Sequence, residues 1–190
     1  YSGGFVIINR RHPVSDARHE RKERIPMHCF SDRALLRAEL AVLLENSRLA
    51  ESCAYVQHGQ TSTFLHCVAV AWYCLWLARL LRLEVDRRAL VRGALLHDYF
   101  LYDWHQPGHG RLHGFRHPAA ALGNARLCCR LDEREENIIL RHMFPLTPVP
   151  PRCREGVLVC LVDKGCSLFE TFNGRYRRLW WAERMVRRAV

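Results

Sequence analysis

Two adjacent residues, His97 and Asp98, close the apolar run Ala94-Leu95-Leu96 and are the groups in this chain best placed to do chemistry. A histidine and a carboxylate side by side at the end of a buried-looking helix are expensive to desolvate unless something compensates them. A metal ion compensates both. Neighbouring residues on a helix point about 100° apart, so the pair works at a frayed helix end, or with Asp98 bridging two ions while His97 holds one. The chain offers four further ligands, His66, His117, His142 and Asp163, at intervals of 19 to 31 residues. That spacing suits one inward-pointing ligand per helix of a bundle.

A histidine and carboxylate set without thiolate suits one or two divalent transition metals, Fe, Mn, Zn, Co or Ni, rather than a structural zinc finger. Two ions bridged by Asp98 would bring the pKa of a shared water from about 15.7 toward neutrality and supply hydroxide at physiological pH. Each ligand is weighed against an ordinary role. Asp163 follows Val157-Leu158-Val159-Cys160-Leu161-Val162, where a carboxylate paired with Lys164 alone would be poorly solvated. His66 sits among Phe64, Leu65, Val68 and Val70, where the alternative is a hydrogen-bonded core histidine. His117 and His142 decide between one metal and two.

The elements that must position these residues read as helices. Ser31 is placed to cap a first helix to about Ser47, with leucines at helical spacing, and a second short helix is expected from Leu49 to His58, broken by Gly59. Thr61-Ser62-Thr63 can cap a long helix to about Leu83 that carries His66 and is apolar nearly all round, so it is expected to be central. Asp86 caps the next, which ends in His97-Asp98. Residues 99–116 form a long loop rich in glycine, histidine and aromatics, expected to line or cover the site. Within it His113, His105, His109, Arg116, Asp103 and Trp104 are candidates for substrate contact or proton delivery, with His113 preferred for its closeness to His117.

His117-Pro118 is expected to open a helix to about Arg130. Asp132 with Glu135 makes a capping box for the helix ending at His142. Pro145 to Pro151 reads as a rigid linker, Arg152 to Thr171 as a helix bearing Asp163, and Arg175 to Val190 as a last helix mixing tryptophans with arginines. Its expected role is to dock Trp180 or Trp181 onto the core with the arginines in solvent. Residues 1–30, apart from a possible short strand at Phe5 to Ile8, are expected to form a partly irregular arm preceding one domain over 31–190. With no multistrand pattern, the fold class is all-α.

The chain of 190 residues carries a formal net charge of +10, and of its 29 basic residues only Lys22 and Lys164 are lysines. That balance favours anionic partners without choosing among them. Nine cysteines with no CxxC pair read as core fillers in a reducing cytosol. With no secretory signal and no apolar stretch long enough to span a bilayer, a cytoplasmic protein without membrane contact is expected.

The ordered series His66, His97-Asp98, His117-Pro118, His142, Asp163-Lys164 resembles the HD-domain superfamily of metal-dependent phosphohydrolases, over about residues 55–172. The resemblance implies a helical bundle around a binuclear metal centre, with His97 and Asp98 at the heart of catalysis. It also implies hydrolysis of a phosphomonoester or phosphodiester in a nucleotide or another small phosphorylated metabolite. The matching lysine in related enzymes contacts a substrate phosphate, which implies the same for Lys164. The chain departs from two branches of the superfamily: the GYP signature is missing, and His97-Asp98 is followed by Tyr99-Phe100 rather than Ile-Gly. The same ligand order resembles inositol-oxygenase-like proteins, so a mixed-valent di-iron oxygenase is an alternative. A non-catalytic nucleotide-sensing module is another. Nucleic acid is the least favoured partner, and a homo-oligomer stays open.

Overall fold

The computed structural model describes residues 27–106, 112–172 and 174–189. The expected arm therefore lies outside the described residues as far as residue 26, as does the candidate His109. From Met27 the backbone is already helical. Helix α1 spans Met27–Asn46, so the start expected at Ser31 falls inside it. A 3-10 turn, Leu49–Ala54, follows. The remainder of the expected second helix is instead a two-stranded antiparallel hairpin, β1 Val56–His58 and β2 Thr61–Ser62. Gly59 turns it at φ +57°, where a side chain would be strained and would also run into the carbonyl oxygen of Glu170. This hairpin is the one departure from an all-α fold among the described residues.

Helix α2, Thr63–Leu80, begins where Ser62 Oγ accepts a hydrogen bond from the Leu65 amide at 3.2 Å. It packs against α3 (Arg87–Leu96) and α6 (Arg154–Thr171) and is the centre of the bundle, as its composition predicts. By length and composition α2 could cross a membrane, yet 67% of that stretch is buried inside the protein. Asp86 caps α3 by accepting from the Arg88 and Ala89 amides, both at 3.0 Å. Helix α4, His113–Cys128, starts four residues ahead of its expected opening at His117 and carries Pro118 within it. Helix α5, Glu133–Arg141, has the expected capping box from Asp132 and Glu135.

Gly93 brings α3 and α5 together. A methyl group there would meet the Ile138 side chain at about 2.5 Å, so only glycine permits this approach. His97 lies just beyond α3 and His142 just beyond α5, which makes that close crossing the hinge of the site's geometry. Helix α7, Trp180–Ala189, begins later than expected, after a 3-10 turn at Arg177–Leu179, and docks the buried Trp181 toward α1. The eight cysteines from Cys53 to Cys166 are free thiols.

Candidate metal centre

The six residues singled out by spacing converge. His66 comes from the first turn of α2, His97 and Asp98 from the end of α3, His117 from α4, His142 from the end of α5 and Asp163 from mid-α6. All six are buried. Their ligand atoms form two groups that share Asp98: His66, His97 and Asp98 on one side, and Asp98, His117 and His142 on the other. Asp163 adds to the first, with Oδ1 at 3.1 Å from His66 Nε2 and 3.7 Å from His97 Nε2. Asp98 turns Oδ2 toward His97 Nε2 at 3.4 Å and Oδ1 toward His117 Nε2 at 3.1 Å. Asp98 thus presents one carboxylate oxygen to each group.

Each imidazole is oriented through its outer nitrogen. His97 Nδ1 donates to the Ala94 carbonyl at 2.8 Å, His117 Nδ1 to the His113 carbonyl at 3.0 Å, and His142 Nδ1 to the Ile139 carbonyl at 2.8 Å. His66 Nδ1 instead lies 2.9 Å from Glu170 Oε1. For His97, His117 and His142 the neutral ring that satisfies the outer bond presents an Nε2 lone pair to the centre, whereas His66 Nε2 is hydrogen-bonded to Asp163 Oδ1 at 3.1 Å.

Those inward atoms fit cations and little else. His97 Nε2 and Asp98 Oδ1 are buried without a hydrogen-bond partner. The Nε2 atoms of His117 and His142 face each other at 2.8 Å, so two lone pairs would repel unless positive charge lies between them. In the metal-free protein, protons on His66 and His97 balance the buried carboxylates. Burial pushes the Asp98 carboxyl up, but His97 and His117 hold it well below the usual carboxylate range. Burial likewise opposes ionised Asp163, yet the hydrogen bond from His66 and the neighbouring charge of His97 hold it low as well. His66 is raised well above the ordinary histidine value, burial being outweighed by Asp163 and Glu170, and His97 is raised by Asp98. His142 moves down through burial. Four histidines and two carboxylates with these demands fit a divalent metal of hard-to-borderline character.

The remaining predicted residues surround this cluster. His113 opens α4 and lays its ring on His117, centroids 4.6 Å apart, and on Trp104, 5.1 Å apart, while Tyr102 Oη lies 3.1 Å from its Nδ1. Trp104 also stacks on His105 at 3.9 Å. From the described part of the loop after Asp98, Tyr102, Trp104 and His105 join His113 in this aromatic cluster beside His117. Asp103 anchors the loop locally through the His105 amide at 3.0 Å. Lys164 Nζ donates to the carbonyls of His142 at 3.0 Å and Cys160 at 3.1 Å, behind the ligand His142.

Three contributors escaped the sequence. Glu170, buried at 1% exposure, orients His66 and lies seven residues beyond Asp163, on the same face of α6 two turns on. That spacing was the available signal. Gln57 on β1 donates from Nε2 to Asp98 Oδ2 at 2.6 Å, and the half-buried His58 sets its ring 6.0 Å from His66. Neither announces itself in so short a strand.

The family model for the HD domain matches residues 63–165. The chain belongs to the HD-domain superfamily of metal-dependent phosphohydrolases. The matched stretch opens at the start of α2 and closes just past Asp163, so it encloses all six ligand positions. No curated protein and no solved structure matches the chain. As in the superfamily generally, the HD-domain ligand cluster points to metal-dependent hydrolase chemistry.

Proposed function

We propose that this HD-domain protein hydrolyses a phosphomonoester or phosphodiester of a nucleotide or another small phosphorylated metabolite. The observation that carries the proposal is the pair of buried ligand groups joined by one carboxylate, Asp98, in which His97 Nε2 and Asp98 Oδ1 are buried without a hydrogen-bond partner. His66, His97, Asp98 and Asp163 would hold one divalent ion, and Asp98, His117 and His142 a second. When bound, such ions supply Lewis acidity toward phosphoryl oxygens and lower the pKa of coordinated water to about 7.

The protein's own groups do the rest. Glu170 and the three helix-end carbonyls fix ring orientation, so no imidazole has to reorganise when substrate arrives. Gln57 holds Asp98 by its Oδ2 edge. His113, on the face of His117, is the group assigned to pass a proton to the leaving oxygen, and Trp104 with Phe100 keeps bulk water off that side. Lys164 is assigned to neutralise charge on the substrate phosphate, which requires Nζ to leave the His142 and Cys160 carbonyls.

Elemental analysis of untagged protein purified without chelators or air, followed by hydrolysis of bis(p-nitrophenyl) phosphate and a nucleotide panel with Mn or Co, tests the proposal. About two equivalents of metal with phosphate release supports it. Iron alone with dioxygen uptake and no hydrolysis would replace it with the oxygenase reading. Tight nucleotide binding with no product would replace it with the sensing one. Lys164→Ala is expected to keep full metal content and raise KM for the best substrate roughly tenfold, in line with loss of one charge-assisted contact. Loss of metal instead would assign Lys164 to holding His142.

A further inference from the structure

Away from the metal centre, α7 and the 3-10 turn before it meet α1 around a concavity of about 380 Å³. Five arginines line it: Arg33 from α1, Arg177 and Arg178 from the turn, and Arg184 and Arg187 from α7. Glu183 is the single acid among the lining residues. The acid next to Arg33, Asp32, is already committed to Arg79 and Arg87. Among the described residues, no carboxylate forms an ion pair with any of the five. Basic residues on a solvated helix face are normally spread around it with acids between them. Here arginines from three segments line one hollow, and the like charge they gather there favours an anion.

Two tryptophans complete the hollow. Trp181 is buried and carries the guanidiniums of Arg33 and Arg37 over its ring, at 5.4 and 5.2 Å from the centroid. Those contacts hold Arg33 in place before any ligand binds, which reduces the ordering that binding would require. Trp180 lines the same hollow and is 51% exposed, so aromatic surface there remains available for stacking. A planar fork of N–H donors matches phosphate oxygens two at a time, and a free aromatic face accepts any nucleobase. The volume suits a small molecule, since ligand pockets run from roughly 300 to 1,000 Å³.

We propose that this concavity is a second anion site, separate from the metal centre, which takes a nucleoside polyphosphate. Arg177, Arg178, Arg184 and Arg187 grip the phosphates, and Trp180 stacks on the base. The site does not depend on the reaction assigned to the metal centre, and it stands whether or not that centre hydrolyses nucleotides.

The test is calorimetric titration of the full metal-loaded chain with the non-hydrolysable probe adenosine β,γ-methylene triphosphate, and separately with inorganic tripolyphosphate. In Arg178→Ala/Arg184→Ala the dissociation constant for the nucleotide probe at this site should rise at least tenfold while metal content stays unchanged. Trp180→Ala should bring the nucleotide probe to the affinity of tripolyphosphate, a loss of roughly tenfold for one stacked base. Chelated protein that keeps its circular dichroism should bind as the loaded protein does. Unchanged affinity in the double arginine variant, or binding that disappears with the metal, would overturn the proposal. Equal affinity for the two probes in the wild type would remove the nucleoside from it. A single-stranded oligonucleotide or an anionic phosphatidylserine vesicle that binds the same arginines far more tightly than either probe would overturn it in favour of a macromolecular partner.

Discussion

Helix α3 carries two buried polar clusters little more than a turn apart, and they are built on opposite principles. Arg92 donates to Glu135, lies 3.7 Å from Glu39 Oε2 and reaches the Arg130 carbonyl at 3.2 Å. Positive and negative groups are matched there, and Glu135 also closes the α5 capping box. The cluster at His97 and Asp98 instead gathers carboxylates and imidazole lone pairs that converge on one another. One cluster matches its charges with its own side chains, although Glu39 Oε2 there lacks a hydrogen bond; the other has a surplus of acceptors that protons or a metal cation must satisfy. Burial alone therefore does not mark a functional site. The sign of what remains unmatched does.

The contrast can be broken or sharpened by experiment, beginning with the largest effect. Asp98→Ala removes the shared ligand of both groups and should abolish metal binding and hydrolysis together, as read by elemental analysis and phosphate release; full metal content would refute its bridging role. Arg92→Met should cost about 3 to 5 kcal/mol in denaturant unfolding, because it strands buried Glu135, while metal per folded chain stays constant. Metal content that falls in step with stability would show that the two clusters are one. Glu170→Gln keeps the shape but removes the charge behind His66, and a 10- to 100-fold loss of metal affinity is expected by competition with a chelator.

The smallest effect is a trend with pH. In chelated protein, His66 and His97 have raised folded pKa values, so their stabilising contribution is complete below the ordinary histidine pKa of about 6.5 and is lost as pH rises through the folded values. Asp98 and Asp163, held low, contribute above about 3.9 and lose that contribution as pH falls. Melting temperature without metal should therefore decline from near neutrality toward alkaline pH. Metal-loaded protein should not follow, since its imidazoles bind as neutral rings. Parallel curves would mean that the histidines carry no proton without the ion.

The ligands were legible because each is a polar residue set in an apolar helical context, where ordinary solvation fails. Asp163 after six apolar residues is the clearest case. Glu170 was harder to see because only Leu168 and Phe169 separate it from the polar Ser167, too short an apolar run to mark it, and only its spacing from Asp163 aligns it with the site. The hairpin holding Gln57 was unreadable for a different reason: its strands are too short for alternation to emerge, leaving Gly59 as a lone turn signal. The early start of α4 was hidden because His113 to Arg116 includes a glycine and follows no capping side chain. The start of α1 was misplaced since Ser31, a good cap by type, sits inside a helix already under way.

Three of the four imidazoles take their orientation from a carbonyl three or four residues earlier in the chain, rather than from a distant side chain. Ligand and orienting group are thus inherited together in one short segment, and drift in the surrounding core cannot separate them. A lineage can rewrite its packing, its loops and its substrate contacts while each such segment continues to deliver a correctly aimed nitrogen. His66 is the exception. Its aim depends on Glu170, far along the sequence, and it is the ligand whose alignment two separate stretches of the gene must preserve in concert.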